Sequence, residues 1–178
     1  CALALTGSLM PGVAEANTQY GPGASATGGD SVAVGDSAKA TAGHATAIGT
    51  LTEADGTNSF VAGLQAKSGA TAENSVAIGR GAQALGQKRV SEQFTASTIA
   101  IGNVATAAEN GDIVIGRQAK STVSEYHTHP QGGNGAVVMG AEAASYGSRG
   151  DVVIGAGAEA CLLRKDVTAP ADKPEYSQ

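Results

Sequence analysis

A six-residue motif ending in glycine returns along the chain: "DSVAVG" at 30–35, "NSFVAG" at 58–63, "NSVAIG" at 74–79, "STIAIG" at 97–102 and "GDVVIG" at 150–155. The closing glycines are Gly35, Gly49, Gly63, Gly79, Gly102, Gly116, Gly140 and Gly155, and Gly21 fits one period upstream. Their spacings are 14, 14, 16, 23, 14, 24 and 15 residues, a period of 14 with insertions. A chain written this way stacks similar units, each touching only its neighbours.

Each period has two short strands. In the first, the residues one and three before the glycine are mostly Val and Ile and share a face, because strand side chains alternate. Between them lie Ala33, Ala47, Val61, Ala77, Ala100, Val114, Val138 and Val153. This strand is apolar on both faces and needs a cover on each. The second strand carries pairs such as Ala38 and Ala40 or Ala82 and Ala84, with polar residues between them. Lys39, Glu53 and Lys67 fall on consecutive turns, predicting an exposed ladder of alternating charge.

Large side chains of the first strand are expected to meet the alanines inside a narrow coil of parallel ladders, with glycine at one corner and Asp30, Asn58 and Asn74 at the other. Roughly nine turns spaced about 4.8 Å apart make a rod on the order of 45 Å long. The stripe from Ala33 to Val153 then faces outward, a large exposed apolar patch that another copy of the chain must cover.

The composition agrees with a thin β structure. There are 26 glycines, two Phe, four Tyr and no Trp in 178 residues, so the aromatic area of an ordinary core is missing. Hydrophobic residues make up 42% and charged ones 15%, too apolar for a disordered polymer. The formal charge of −5, with scattered basic residues, argues against a nucleic-acid partner. No apolar run is long enough to cross a bilayer as a helix.

The ends read differently from the middle. Residues 1–16, "CALALTGSLMPGVAEA", resemble a truncated signal peptide with an A-x-A site; a disordered apolar tail or a lipoprotein beginning at Cys1 are the alternatives. Residues 17–160 hold the repeats, and 161–178 read as a linker or fragment end. Cys1 and Cys161 stand at opposite ends of an elongated fold, too far apart for a disulfide.

The motifs "NSVAIG", "DSVAVG", "NSFVAG" and "STIAIG", each followed by an A-x-A or A-x-S segment, resemble the YadA-like head domain of trimeric autotransporter adhesins over residues 21–160. The resemblance implies an all-β fold, a left-handed parallel β-roll (solenoid) of 14-residue repeats assembled as a homotrimer. It implies a non-enzymatic adhesin head on a Gram-negative outer membrane, reaching the membrane only through a C-terminal anchor missing here. The expected ligand is a host matrix protein such as collagen or fibronectin, or the host cell surface. In this frame Ala33, Ala47, Val61, Ala77, Ala100, Val114, Val138 and Val153 are the expected trimer interface.

Two insertions, 86–97 and 122–135, fall at the same phase, after the alanine strand. They hold Lys88, Arg89, Phe94, Tyr126, His127 and His129, candidate partner-binding residues on loops carried by a rigid scaffold. "HTH" at 127–129 offers too few ligands nearby for a structural metal, and no cofactor is expected. No nucleophile elbow, P-loop or zinc-protease motif occurs. A hexapeptide-repeat acyltransferase using His44 is disfavoured by the 14-residue period. The alternative function is a structural spacer in a phage fibre or secreted spike.

Overall fold

The computed structural model describes residues 17–87, 97–122, 135–146 and 150–161. The strands are β1 (Thr18–Tyr20), β2 (Ser25–Ala26), β3 (Val32–Val34), β4 (Lys39–Ala40), β5 (Thr46–Ile48), β6 (Glu53–Ala54), β7 (Phe60–Ala62), β8 (Lys67–Ser68) and β9 (Val76–Ile78). They continue as β10 (Gln83–Gln87), β11 (Ile99–Ile101), β12 (Thr106–Glu109), β13 (Ile113–Ile115), β14 (Lys120–Thr122), β15 (Val137–Met139), β16 (Ala144–Tyr146), β17 (Val152–Ile154) and β18 (Glu159–Cys161). All odd strands form one nine-stranded parallel sheet, here the motif sheet, and all even strands form the other, the alanine sheet. The described residues therefore form an all-β parallel solenoid.

The repeat sets the register directly. Val32, Ala33 and Val34 pair with Thr46, Ala47 and Ile48, so residues one period apart lie side by side. At the glycine corner, Ala38 N donates to Gly35 O at 3.4 Å, closing a four-residue turn. Two residues after the glycine the backbone is left-handed, with φ from 54° at Ser37 to 61° at Glu142, and includes Val104 at 55°. A lone β-branched residue pays strain there, and the stacked turns hold it: Val104 N donates to Arg80 O at 2.8 Å. At the opposite corner Asp30, Asn58 and Asn74 take φ of 53°, 56° and 52°, the turn chemistry expected of them.

The interior reverses one expectation. Ala33, Ala47, Val61, Ala77, Ala100, Val114 and Val138 are all 0% exposed and Val153 only 4%, inside their own coil. They pack against Ala38, Ala40, Ala82, Ala84 and their equivalents, so small residues meet small ones. A stripe buried in its own chain cannot be the trimer seam. The four-residue glycine turn joins the two sheets directly, and from β3 to β17 the motif strands place only Ala or Val inward. Ile48, Phe60, Ile78 and Met139, at the flanking positions, are all turned outward, 37–40% exposed.

Candidate adhesive surfaces

The outer face of the motif sheet consists of those flanking columns. One runs Val32, Thr46, Phe60, Val76, Ile99, Ile113, Val137 and Val152; the other runs Val34, Ile48, Ala62, Ile78, Ile101, Ile115, Met139 and Ile154. Each residue is half-buried by its ladder neighbours or exposed, and no element of the described residues lies across the face. With about 4.8 Å per strand and two side chains across, the patch measures roughly 400 Å², a size that marks interaction surfaces.

The outer face of the alanine sheet is polar. Ser25, Lys39, Glu53, Lys67 and Gln83 stand in register on successive strands. Glu53 sits between two ammonium groups, with Lys67 Nζ at 2.9 Å and Lys39 Nζ at 3.7 Å, so the expected charge ladder forms. The Lys67 hydrogen bond holds the Glu53 carboxyl below its ordinary 4.5, against a smaller effect of burial. The ladder therefore stabilises above about pH 4.5, and its contribution fades as pH falls through the lowered value. These side chains are 36–54% exposed, which limits the gain. Glu53→Gln is expected to cost a few tenths of a kcal/mol at low salt and less at high salt, measured by urea unfolding.

Further along the same face, Lys120 Nζ stands 4.9 Å from the centroid of the Tyr146 ring, within cation–π range. The small side chains of Thr106 and Ala144, on either side of Lys120, leave an open depression also lined by Gln118, Glu142 and Glu159. Arg117 is paired with Glu142 on the neighbouring turn.

The third surface is the corner between the alanine strands and the motif strands. Both insertions leave there, after β10 and β14, and return to β11 and β15. Lys88, Arg89, Phe94, Tyr126, His127 and His129 lie outside the described residues. Their feet are described, and beneath the second is a buried carboxylate. Asp112, 1% exposed, accepts from Ser121 Oγ at 2.6 Å and Glu109 N at 3.0 Å through Oδ2, and from Ala136 N at 2.9 Å through Oδ1. Ser121 and Ala136 bracket the 122–135 insertion. Burial pushes the Asp112 carboxyl above its ordinary 3.8, against these hydrogen bonds.

Sequence reasoning read Ser68, Ser121 and Ser145 as variants of alanine and missed this seam. The structure makes Ser68 and Ser121 corner caps, with Ser68 Oγ accepting from Asp55 N and Gly56 N and Ser121 Oγ accepting from Ala108 N, while Ser145 Oγ donates to Asp151 Oδ2. The signal was available, because each A-x-S segment precedes a spacing longer than 14 residues. His44 is an exposed corner residue at φ 56°, its Nδ1 3.9 Å from Asp30 Oδ2. Among the described residues no group of three or more His, Cys, Asp or Glu could hold a metal ion. No helix among them is long and apolar enough to cross a membrane.

The described residues form a helix-free solenoid with glycine-cornered 14-residue turns and an apolar outer face, a β-roll repeat architecture. Residues 21–38, 26–52, 40–66 and 70–88 match the family model of the YadA head domain repeat, so this part of the chain is similar to a YadA-like head domain. No curated protein matches it. The family match stops at the first insertion, whereas β11 to β18 continue both sheets in the same register.

Proposed function

We propose that the chain is the non-enzymatic head of a bacterial surface adhesin, a left-handed roll whose copies associate as a homotrimer. The observation that carries this is the outer face of the motif sheet: two columns made mostly of Val and Ile, with Phe60 and Met139, run along the roll, and no element of the described residues lies over them. Three copies packed about an axis through these faces bury the patch in a closed ring, in which one edge of the face on each copy meets the other edge on the next. The interface residues in this reading are the flanking ones, such as Ile78, Ile101 and Ile115, in place of the Ala33 to Val153 stripe.

Assembly of this kind turns the alanine sheet outward. Its charge ladder, the Lys120–Tyr146 depression and the two insertions become the surfaces offered to a host matrix protein such as collagen or fibronectin, or to a host cell. Three copies of each weak contact add through effective concentration. Display on a Gram-negative outer membrane fits the same reading.

Light scattering on a sizing column tests it. The chain is expected to elute with the mass of three copies, and Ile78→Asp with Ile101→Asp is expected to give monomers that keep their β circular dichroism, since both side chains point away from the coil interior. A monomeric unsubstituted chain would overturn the assembly. Deleting 122–135 from the trimer tests the insertion separately: undiminished binding to matrix protein removes it from the contact surface.

A further inference from the structure

The polar column of the alanine sheet handles its charges in two ways. Lys39, Glu53 and Lys67 sit on consecutive strands and neutralise one another, as Arg117 and Glu142 do on neighbouring turns. Further along the same column Lys120, Ala144 and Glu159 follow in register, so an alanine keeps the cation and the carboxylate apart. Two strand spacings separate their backbone positions by about 9.6 Å. Lys120 is also held aside, its Nζ standing over the Tyr146 ring. Both charged side chains are exposed, and neither makes an ion pair among the described residues. Ala144, 1% exposed, forms the floor between them. Lys120, Tyr146, Glu142 and Glu159 stand around it, lining the depression of about 590 Å³ noted above.

We propose that this depression binds an unfolded peptide segment of a partner protein, one that carries an acidic and a basic side chain three residues apart. The inference rests on the reading that the alanine sheet faces outward in the assembled head. Charge argues for the class of ligand. A phosphate chain or an acidic glycan gains at Lys120 but is repelled at Glu159, and a neutral glycan uses neither charge. A peptide with one charge of each sign meets both. Spacing argues for its form. In a β-strand, side chains on one face recur about 6.7 or 13 Å apart, and neither step matches the Lys120–Glu159 separation. In the polyproline-II form that unfolded chains favour, residues three apart share a face and lie about 9.3 Å apart. The ligand carboxylate then accepts from Lys120 Nζ, and its ammonium donates to the Glu159 carboxylate. Tyr146 holds Lys120 in place beforehand, which lowers the ordering cost of binding.

Fluorescence polarisation with the full chain tests this, using a labelled, end-blocked, proline-rich peptide with Glu and Lys three residues apart. The peptide is expected to bind at low salt, to release as salt rises, and to bind more weakly when Glu and Lys are moved to two residues apart. Lys120→Glu and Glu159→Lys are each expected to weaken binding by about tenfold or more. Reversing both charges together is expected to restore it, with the peptide lying in the opposite direction; a merely structural role for either residue gives no such rescue. Ala144→Lys is a second route. It gives Glu159 a cation on the adjacent strand, as Lys67 is to Glu53, and is expected to abolish binding while the β circular dichroism is kept. No binding by the unsubstituted chain, binding indifferent to Lys120→Glu, or a double reversal that fails to rescue would overturn the inference. A chain that forms trimers and binds matrix protein but ignores the peptide loses this inference alone; a monomer that binds the peptide keeps it and loses the assembly.

Discussion

Gly116→Ala is expected to cost about 4 kcal/mol or more, enough to unfold the coils on either side of it. A Cβ at Gly116 would lie 2.1 Å from Gly140 O and 2.6 Å from Gly140 C, both backbone atoms of the next turn. Neither can move without opening the ladder, in which Gly140 N donates to Ile115 O at 2.9 Å. The φ of +146° adds strain for any L side chain. The same stacking repeats at Gly35, Gly49, Gly63, Gly79 and Gly102, where the added atom would meet the next glycine's carbonyl oxygen at 2.2–2.5 Å. Gly81→Ala is the control. Its φ of +63° is the one that Leu51, Gln65 and Val104 adopt at the same corner position, and the nearest atom is a side-chain methyl of Val104 at 3.8 Å. It is expected to cost about 1 kcal/mol or less. Urea unfolding of the two variants separates backbone stacking from the general penalty of losing a glycine.

Asp112→Ala is expected to cost about 2–4 kcal/mol, because it leaves two backbone donors, Glu109 N and Ala136 N, buried without their acceptor. The loss should be local first: the amides of Glu109 and Ala136 are expected to exchange faster while those of β3 to β7 hold. The pH dependence has an unusual sign for a hydrogen-bonded carboxylate. Burial raises the folded-state value above 3.8, so between the two values the native chain keeps a proton that the unfolded chain has lost. The stability Asp112 contributes through this shift is complete below about pH 3.8 and is lost as pH rises through the raised value. Asp112→Asn removes that titration. Subtracting its stability from that of the unsubstituted chain, across pH 3 to 7, should leave a difference that falls as pH rises; a difference that climbs instead would mean that the hydrogen bonds outweigh desolvation. Glu53 works in the opposite direction, since its value is lowered, and Glu53→Gln separates the two.

Much of this was legible in the residues. The 14-residue step between glycines fixes which residues are neighbours, and every pairing from Val32 with Thr46 to Val137 with Val152 follows it or its insertions. Lys39, Glu53 and Lys67 sit in one column for the same reason, and the phase of the two insertions places them at one corner. The seam under the second insertion was hidden, because Asp112 and Ser121 are nine residues apart and meet only once the coil closes.

Sequence by itself determined the period, the two strands per turn, the glycine corner and the existence of an apolar face looking for a cover. It did not determine which face that was. Alternation divides a strand into two sets of side chains but carries no sign, and when both sets are apolar hydrophobicity cannot choose between them. The expectation that the larger residues belong inside follows from ordinary cores, where sheets stack about 10 Å apart. Here a four-residue glycine turn joins the two sheets, and the core between them is built of Ala and Val. The tertiary structure decided by volume what hydrophobicity left open: Ala33 and its column went inside, and Ile78 and its column went outside.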